Sequence, residues 1–346
     1  MRIDVLCNDG SPLGVSMNDL WGEGQRGIGL VGSEYGLLTL CEEWTKRGNR
    51  VRLYNDPRNP RGNPFGQYPI GSFQSHEERD ILIIFRSPNE RITNAKGLKI
   101  WFSTDQYTVG DFAKFAPKVD KIVCISPFHA NYFRNTYGIE NTIVIDLPIR
   151  VYDLDAYNVG KHPKRMIFTS VPDRGLHIMR DAWKTIKKKV PEASLVITSD
   201  YRLWGLHEPR NERFRAQWIG EKDVIFLGAI KRGNLIEEQL KADLFVYPCN
   251  YSELFCVSLA EAQACGVYPI TSNIGALATT NMGTIVKGNP EDSRSGFMKQ
   301  FCDEVVNKLN DPQLSVLQER VKDKSIERFS PQKILNFWDE LVFKHG

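Results

Sequence analysis

Residues 243–271 contain Asp243-Leu244-Phe245-Val246-Tyr247, then a polar loop, then Val257-Ser258-Leu259-Ala260-Glu261-Ala262-Gln263-Ala264-Cys265, then Gly266 and Val267-Tyr268-Pro269-Ile270-Thr271. The two outer runs are short and apolar, as in buried strands. The middle run has helix length, and its Ala260, Ala262 and Ala264 are small enough to let a helix pack closely on a sheet. Strand followed by helix followed by strand predicts parallel pairing, with helices covering both faces of the sheet.

The same alternation extends in both directions. Upstream in this half, strands are predicted at Arg165–Thr169, Ser194–Ser199 and Asp223–Leu227, with helices at about 176–190 and 234–241. Three late helices are predicted at about 293–309, 313–328 and 331–345. The first half repeats the pattern: strands at Arg2–Cys7, Val51–Tyr54, Asp80–Phe85, Lys99–Phe102, Lys121–Ile125 and Asn141–Asp146. One helix spans about 33–47, where Leu37, Leu38, Cys41 and Trp44 form an apolar stripe and Gly48 stops it. Ser126-Pro127 opens another, as N-cap and first-turn proline, and Gly138 closes it. A glycine-rich loop (Gly22, Gly24, Gly27, Gly29, Gly32) and a Pro/Gly/Asn-rich loop over 56–71 interrupt the pattern. The polar stretch Tyr152–Lys164 reads as the linker. The expected class is α/β, with two doubly wound Rossmann-like domains facing a cleft. Their predicted extents are 1–151 and 165–329, followed by a C-terminal helix over 330–346.

Composition fits that class. The chain has 346 residues, so at about 150 residues per domain two are expected. A net charge of +3 argues against a chain-wide electrostatic grip on nucleic acid. No apolar run approaches the ~20 residues of a membrane-spanning helix, and the N-terminus is too quickly polar for a secretory signal. The seven cysteines include no Cys-x-x-Cys pair, which suits free thiols in a reducing cytoplasm.

Ligands of open parallel sheets bind beyond the carboxyl ends of the strands. In the second half those positions hold Ser170, Asp173, Arg174, Asp200, Tyr201, Arg202, Gly228, Lys231, Arg232, Asn250, Ser252 and Glu253. Cations from three loops converge there, a plausible seat for an anion. Glu253 lies just ahead of the 257–265 helix and Glu261 lies inside it. A carboxylate among small apolar residues is costly unless paired. The helix start at Phe255–Val257 offers free N–H groups and a positive dipole end to a phosphate. Two readings follow from these residues. In one, both carboxylates accept hydrogen bonds from sugar hydroxyls. In the other, Glu253 is a helix-cap charge and Glu261 the partner of a buried arginine.

Glu253 and Glu261 stand in the frame Glu-Leu-Phe-Cys-Val-Ser-Leu-Ala-Glu-Ala-Gln-Ala-Cys-Gly. This Glu-x7-Glu frame resembles that of glycosyltransferase family 4, the retaining enzymes of GT-B fold. Gly27–Glu34 with the helix after it, Ile125–His129 through Tyr137-Gly138, Asp173-Arg174-Gly175-Leu176, and Val224–Gly228 with Leu240–Pro248 are similar to family segments and keep family order. There are departures. Only Ser170 or a neighbour stands where the family has an arginine before the Lys/Arg-Gly turn. No histidine follows the fourth strand of the first half, where Trp101-Phe102-Ser103-Thr104-Asp105 leaves Asp105 as the stand-in. The usual Asn-Gly is replaced by Leu147-Pro148-Ile149-Arg150.

The resemblance implies transfer of a sugar, with retention, from a UDP- or GDP-sugar to a hydroxyl of a glycan, glycolipid or other acceptor, with no cofactor and no metal. Glu253, Asp105 and Arg174 become the catalytic candidates. Gly27, Gly29, Arg174, Lys231, Glu253, Leu254, Phe255, Cys256, Val257 and Glu261 become the donor-binding candidates. The first domain would bind the acceptor, and the last helix would cross back onto it. A nucleotide-sugar 2-epimerase of the same architecture and a non-catalytic sugar-nucleotide-binding protein remain alternatives.

Three further signals are weaker. Asp153-Leu154-Asp155 matches a metal-holding Asp-x-Asp but lies in the linker. Lys184, Lys187, Lys188 and Lys189 form a basic helix face, read as solvated, with weak contact to anionic lipid at the inner face of a membrane as the alternative. His129, His162, His177 and His207 show no metal-ligand spacing.

Overall fold

The computed structural model describes residues 1–8, 13–24, 27–107, 109–204 and 208–344, with side chains at 208–210 set aside. His207 and the last two residues of the expected C-terminal helix lie outside the described residues. The chain divides into two compact units, one of residues 1–20, 30–148 and 329–346, the other of residues 21–29 and 149–328.

The first unit is built on a seven-stranded parallel sheet: β1 (Arg2–Cys7), β2 (Arg50–Tyr54), β3 (Gly66–Tyr68), β4 (Ile81–Phe85), β5 (Leu98–Phe102), β6 (Lys121–Cys124) and β7 (Ile143–Val144). Their order is β3-β2-β1-β4-β5-β6-β7, so the winding reverses between β1 and β4. Every residue of β4 is buried, as a strand covered on both faces requires. Helices α1 (Met17–Trp21), α2 (Gly32–Lys46), α3 (Phe112–Phe115) and α4 (Pro127–Tyr137) accompany it. The hydroxyl of Ser126 accepts the His129 amide at 3.0 Å, and Gly138 adopts φ +68°, the predicted cap and stop.

The second unit carries β8 (Arg165–Phe168), β9 (Ser194–Ile197), β10 (Val224–Phe226), β11 (Leu244–Tyr247), β12 (Tyr268–Ser272) and β13 (Thr284–Val286), in the order β10-β9-β8-β11-β12-β13. All pairings are parallel, and the reversal lies between β8 and β11. Its helices are α5 (Leu176–Lys189), α6 (Glu208–Ala216), α7 (Arg232–Lys241), α8 (Val257–Ala264), α9 (Leu277–Thr280), α10 (Phe297–Leu309) and α11 (Leu314–Phe329). The core joins β8, β9, β11 and β12 to Trp183, Phe297 and Phe301.

After α11 the chain returns to the first unit as α12 (Pro331–Phe337), which runs on as a π-helical turn over Trp338–Phe343. Trp338 is fully buried, edge-on to Trp44 of α2 at 5.3 Å and to Phe102 of β5 at 5.1 Å. Arg47 meets Asp339, and Lys121 donates to the Val342 carbonyl at 2.7 Å. The C-terminal helix thus packs on the first sheet's own helix layer.

Several expectations are corrected. The loop over 56–71 contains β3 and a 3-10 turn at Ile70–Ser72, because the buried Gln67 amide donates to both Val15 O and Asn55 Oδ1 at 2.9 Å and so holds an edge strand against β2. The strand expected over Asn141–Asp146 shrinks to Ile143–Val144 at the sheet edge. The linker opens as a 3-10 segment, Val151–Ala156, with Asp153 buried. A short helix, α1, precedes the glycine-rich loop; Asp19 accepts from the amide and hydroxyl of Ser16 at its start. Helices α1, α3 and α9 and strand β13 are too short for periodicity to reveal.

Candidate functional site

The reversal between β8 and β11 leaves a crevice position beyond their carboxyl ends. Two turns meet there. The turn after β8 holds Ser170, Arg174 and Gly175, and the turn after β11 holds Tyr251 and Glu253. Gly175 has φ +105°, and a Cβ on it would lie 2.4 Å from Pro248 O, so the two turns can touch only because this residue is glycine.

Glu253 is the buried centre of this position. Its Oε1 accepts from the Tyr247 hydroxyl at 2.7 Å and from Arg174 Nη1 at 3.0 Å, and its Oε2 accepts from the same nitrogen at 3.1 Å. The Tyr247 hydroxyl is 2.9 Å from Ser170 Oγ. The Glu253 backbone is fixed as well: its amide donates to Tyr251 O at 2.8 Å and its carbonyl accepts from Ala276 at 2.7 Å. Gly275 presses on it so closely that a Cβ would sit 2.5 Å from that carbonyl.

The Arg174 guanidinium lies 4.1 Å from the Tyr251 ring centroid and 5.2 Å from that of Trp204. Burial works against its charge, but the Glu253 carboxylate holds its pKa above the ordinary value. Burial first, and Glu253 second, push the Tyr247 phenol well above its usual range, so it stays a hydroxyl donor. Cys256, at φ +72°, turns the chain into α8, an uncommon left-handed position for a side-chain-bearing residue. Leu254 and Val257 are half-buried, Phe255 and Cys256 buried.

Glu261 lies deeper, one helix along. Its Oε1 accepts from Arg232 Nη1 at 2.6 Å, Arg232 Nε reaches Asp153 at 3.1 Å, and Arg150 Nε reaches the same Asp153 oxygen at 2.9 Å. Glu261 is therefore the partner of a buried arginine. Its Oε2 has no hydrogen-bond partner among the described residues, so that pairing leaves acceptor capacity. Trp21 stacks on Arg232 at 5.7 Å, Glu23 pairs with the half-exposed Lys231 at 2.8 Å, and the Gly29 amide donates to Ile230 O at 3.2 Å. Trp21, Glu23 and Gly29 thus pack against the start of α7. The Gly27 amide is held by Gly24 O at 3.0 Å.

The loops after β9 and β10 are joined by a buried carboxylate. The carboxylate of Asp200 accepts from the Arg202 amide and Nε at 2.8 Å, from Asn211 at 2.5 Å and from the Ala229 amide at 2.9 Å. Burial alone would raise its pKa; the hydrogen bonds from Arg202 and Ala229 outweigh it and hold the group below the usual value. Asp200 therefore ties the β9 and β10 loops together. Only its distant partner Asn211, eleven positions on, could have betrayed it.

In the first unit, Asp105 follows β5, and its carboxylate lies 3.6 Å from Arg86, the residue after β4. Its carbonyl accepts from His129 Nε2 at 2.9 Å, while Nδ1 of that ring accepts the Ile125 amide at 3.4 Å, which fixes the tautomer. Burial pushes His129 down to about 4, so it is neutral at ordinary pH.

The weaker signals resolve physically. In Asp153-Leu154-Asp155, Asp153 is buried between two guanidinium groups and Asp155 faces solvent, so the two carboxylates do not converge. Lys187 is tied to Asp223, Pro191 O and Ala193 O, and Lys189 to Asp303, while Lys184 and Lys188 are exposed to solvent. All seven cysteines are buried free thiols. Among the described residues, no helix is long and apolar enough to cross a membrane.

Residues 163–288 match the family described as Glycosyl transferases group 1. A D-inositol 3-phosphate glycosyltransferase 2 of Catenulispora acidiphila is 36% identical over 90 residues, 25% of this chain. That match spans only 21% of that protein's length. Two solved structures share the fold over the whole chain. The glycosyltransferase from Rickettsia africae has a TM-score of 0.74 at 16% identity, covering 100% of this chain and 99% of that one. The Anabaena protein HepE, solved with UDP and glucose, has 0.68 at 14%, covering 99% of each. Arg174, Glu253 and Glu261 all lie inside the matched segment, so residues 163–288 are similar to the group 1 glycosyl transferases, and the two parallel doubly wound sheets share the fold of these solved structures.

Proposed function

We propose that this protein transfers a sugar from a UDP- or GDP-sugar to an acceptor hydroxyl with retention, in glycan, polysaccharide or glycolipid synthesis. The observation that carries this reading is the meeting of Arg174 and Glu253 at the reversal of the second sheet, inside the family segment. Donor binding belongs to domain 165–329 and acceptor binding to domain 1–151. That HepE was solved with UDP-glucose favours a uridine donor here.

In this reaction the bond from the anomeric carbon to the diphosphate breaks, and the diphosphate leaves with the electron pair. The acceptor oxygen bonds that carbon and sheds its proton. The protein's task is to stabilise the leaving charge and position the acceptor. Arg174 and Lys231 neutralise the diphosphate, together with the start of α8 at Leu254, Phe255, Cys256 and Val257. Gly27 and Gly29 let their loop approach it. Glu253 accepts from donor-sugar hydroxyls, Glu261 from the ribose through Oε2, and Asp105 faces the acceptor. Side-chain cations and the helix start take the role a metal plays elsewhere.

A panel of UDP- and GDP-sugars with nucleotide release and product analysis tests this. Release of nucleoside diphosphate matched by sugar on an acceptor supports it. An epimerised donor without acceptor dependence, or binding without turnover, contradicts it.

A further inference from the structure

We propose that Tyr247 is a positioning residue for Glu253: its buried hydroxyl takes up Oε1 and thereby presents Oε2 to the ligand. The inference rests on the donor-site reading above and goes beyond it in naming a residue and an atom.

Tyr247 is the last residue of β11 and is fully buried, its ring edge-on to Phe168 at 5.6 Å and to Phe245 at 5.8 Å. An aromatic residue packed this way needs no hydroxyl for its apolar role, and a buried hydroxyl without partners is costly. This one has two, Glu253 Oε1 and Ser170 Oγ. An ionised carboxylate only accepts, so the single phenolic proton goes to Glu253. The Ser170 hydroxyl must then donate to the phenol. The result is a directed chain from half-exposed Ser170 through buried Tyr247 to Glu253, each bond polarising the next.

Counting acceptors gives the functional consequence. Oε1 receives two hydrogen bonds, from Tyr247 and Arg174, which fills both of its lone pairs. Oε2 receives one, from Arg174, and keeps a lone pair. With the Glu253 backbone also held at both its amide and its carbonyl, the carboxylate has little freedom to rotate. Without the phenolic hydroxyl, only the Arg174 fork would hold it. Arg174 is the group proposed to meet the diphosphate, so Glu253 would lose its remaining anchor when the donor arrives. Tyr247 is what keeps the carboxylate in place when Arg174 changes partner.

The test is Tyr247→Phe in the full chain, with Ser170→Ala beside it. Tyr247→Phe should lower kcat about tenfold or more, leave nucleoside-diphosphate affinity within about twofold, and stay folded by its melting curve. Ser170→Ala keeps the phenol and should lower kcat by a few-fold with the same pattern. If the Phe variant does not fold, Ser170→Ala decides alone, and wild-type kcat there overturns the proposal. Wild-type kcat in Tyr247→Phe also overturns it, as does a loss of nucleoside-diphosphate affinity as large as the loss of kcat, which marks a merely structural tyrosine. A wild-type enzyme that turns over no donor defeats the underlying reading, whereas donor turnover beside an equally active Tyr247→Phe defeats the positioning alone.

Discussion

At the carboxyl edge of the first sheet, Arg86 and Asp105 stand 3.6 Å apart, beside a neutral, buried His129 whose Nε2 meets the Asp105 carbonyl. At the same edge of the second sheet, Glu253 is held by a phenol and a guanidinium, and Glu261 by a buried arginine. The two sheets reverse winding at the same place in their order, after three strands. Topology therefore offers an identical position twice, and loop chemistry decides what each does. The first unit puts its most buried ion network elsewhere: Asp4, within β1, is clamped at 2.7 Å by Arg52 of β2 and by Arg79 from the loop before β4, and not beyond the carboxyl ends of the strands. In the second unit the buried carboxylates Glu253 and Asp200 lie on loops beyond the carboxyl ends of their strands. A buried charge inside a strand supports the fold, whereas one fixed on a loop at a winding reversal is poised to bind.

Breaking the first unit while sparing the second separates the two most coarsely. Trp338→Ala removes the largest buried side chain that the C-terminal segment places against α2 and β5. It should cost about 3–5 kcal/mol of stability in denaturant melts, with nucleoside-diphosphate affinity of the folded fraction unchanged.

Arg174→Ala should weaken nucleoside-diphosphate binding by about 1.5–3 kcal/mol, the range for a charge-assisted hydrogen bond. Asp105→Asn, at the matching edge of the first sheet, should leave that affinity within about twofold while lowering transfer. Titration of the two variants side by side checks the contrast, and equal losses would erase it.

His129 sharpens the comparison by pH. Its folded pKa of about 4 lies below the ordinary 6.5, so the unfolded chain binds the proton first. Stability should fall as pH drops from 6.5 towards 4, by about 1.4 kcal/mol per unit from this residue. His129→Gln should lack that share of the slope in melts at stepped pH. The smallest expected effect is none: turnover should survive EDTA, because cationic side chains and the α8 start carry the charge. Loss of turnover restored by manganese or magnesium would contradict this.

Much of this contrast was legible in residue order. Short apolar runs such as Ile81–Phe85 and Leu244–Tyr247 announced the strands, and Ser126-Pro127 with Gly138 bounded α4. Glu253 and Arg174 could be named because each follows a strand end. Their partners could not. Tyr247 read as one more apolar strand residue, and nothing near Arg232 in sequence shows that Asp153 and Glu261, 79 and 29 positions away, converge on it. The grouping of residues 21–29 with the second unit was equally hidden, since it rests on contacts with Ile230, Lys231 and Arg232. Pairings across tens of residues depend on the sheet order, which periodicity does not encode.

On the proposed reading, the second sheet's edge is a donor site whose two glutamates have separate tasks. Calorimetric titration of UDP and GDP into wild type, Glu253→Gln and Glu261→Gln, with melting curves alongside, tests it most directly. Glu253→Gln should keep nucleotide affinity within about twofold while turnover falls by about a hundredfold or more, the scale of losing one transition-state contact. Glu261→Gln should weaken nucleotide binding by about tenfold, the scale of one hydrogen bond. Equal effects on nucleotide affinity, or parallel losses of stability and all binding in both variants, would contradict it.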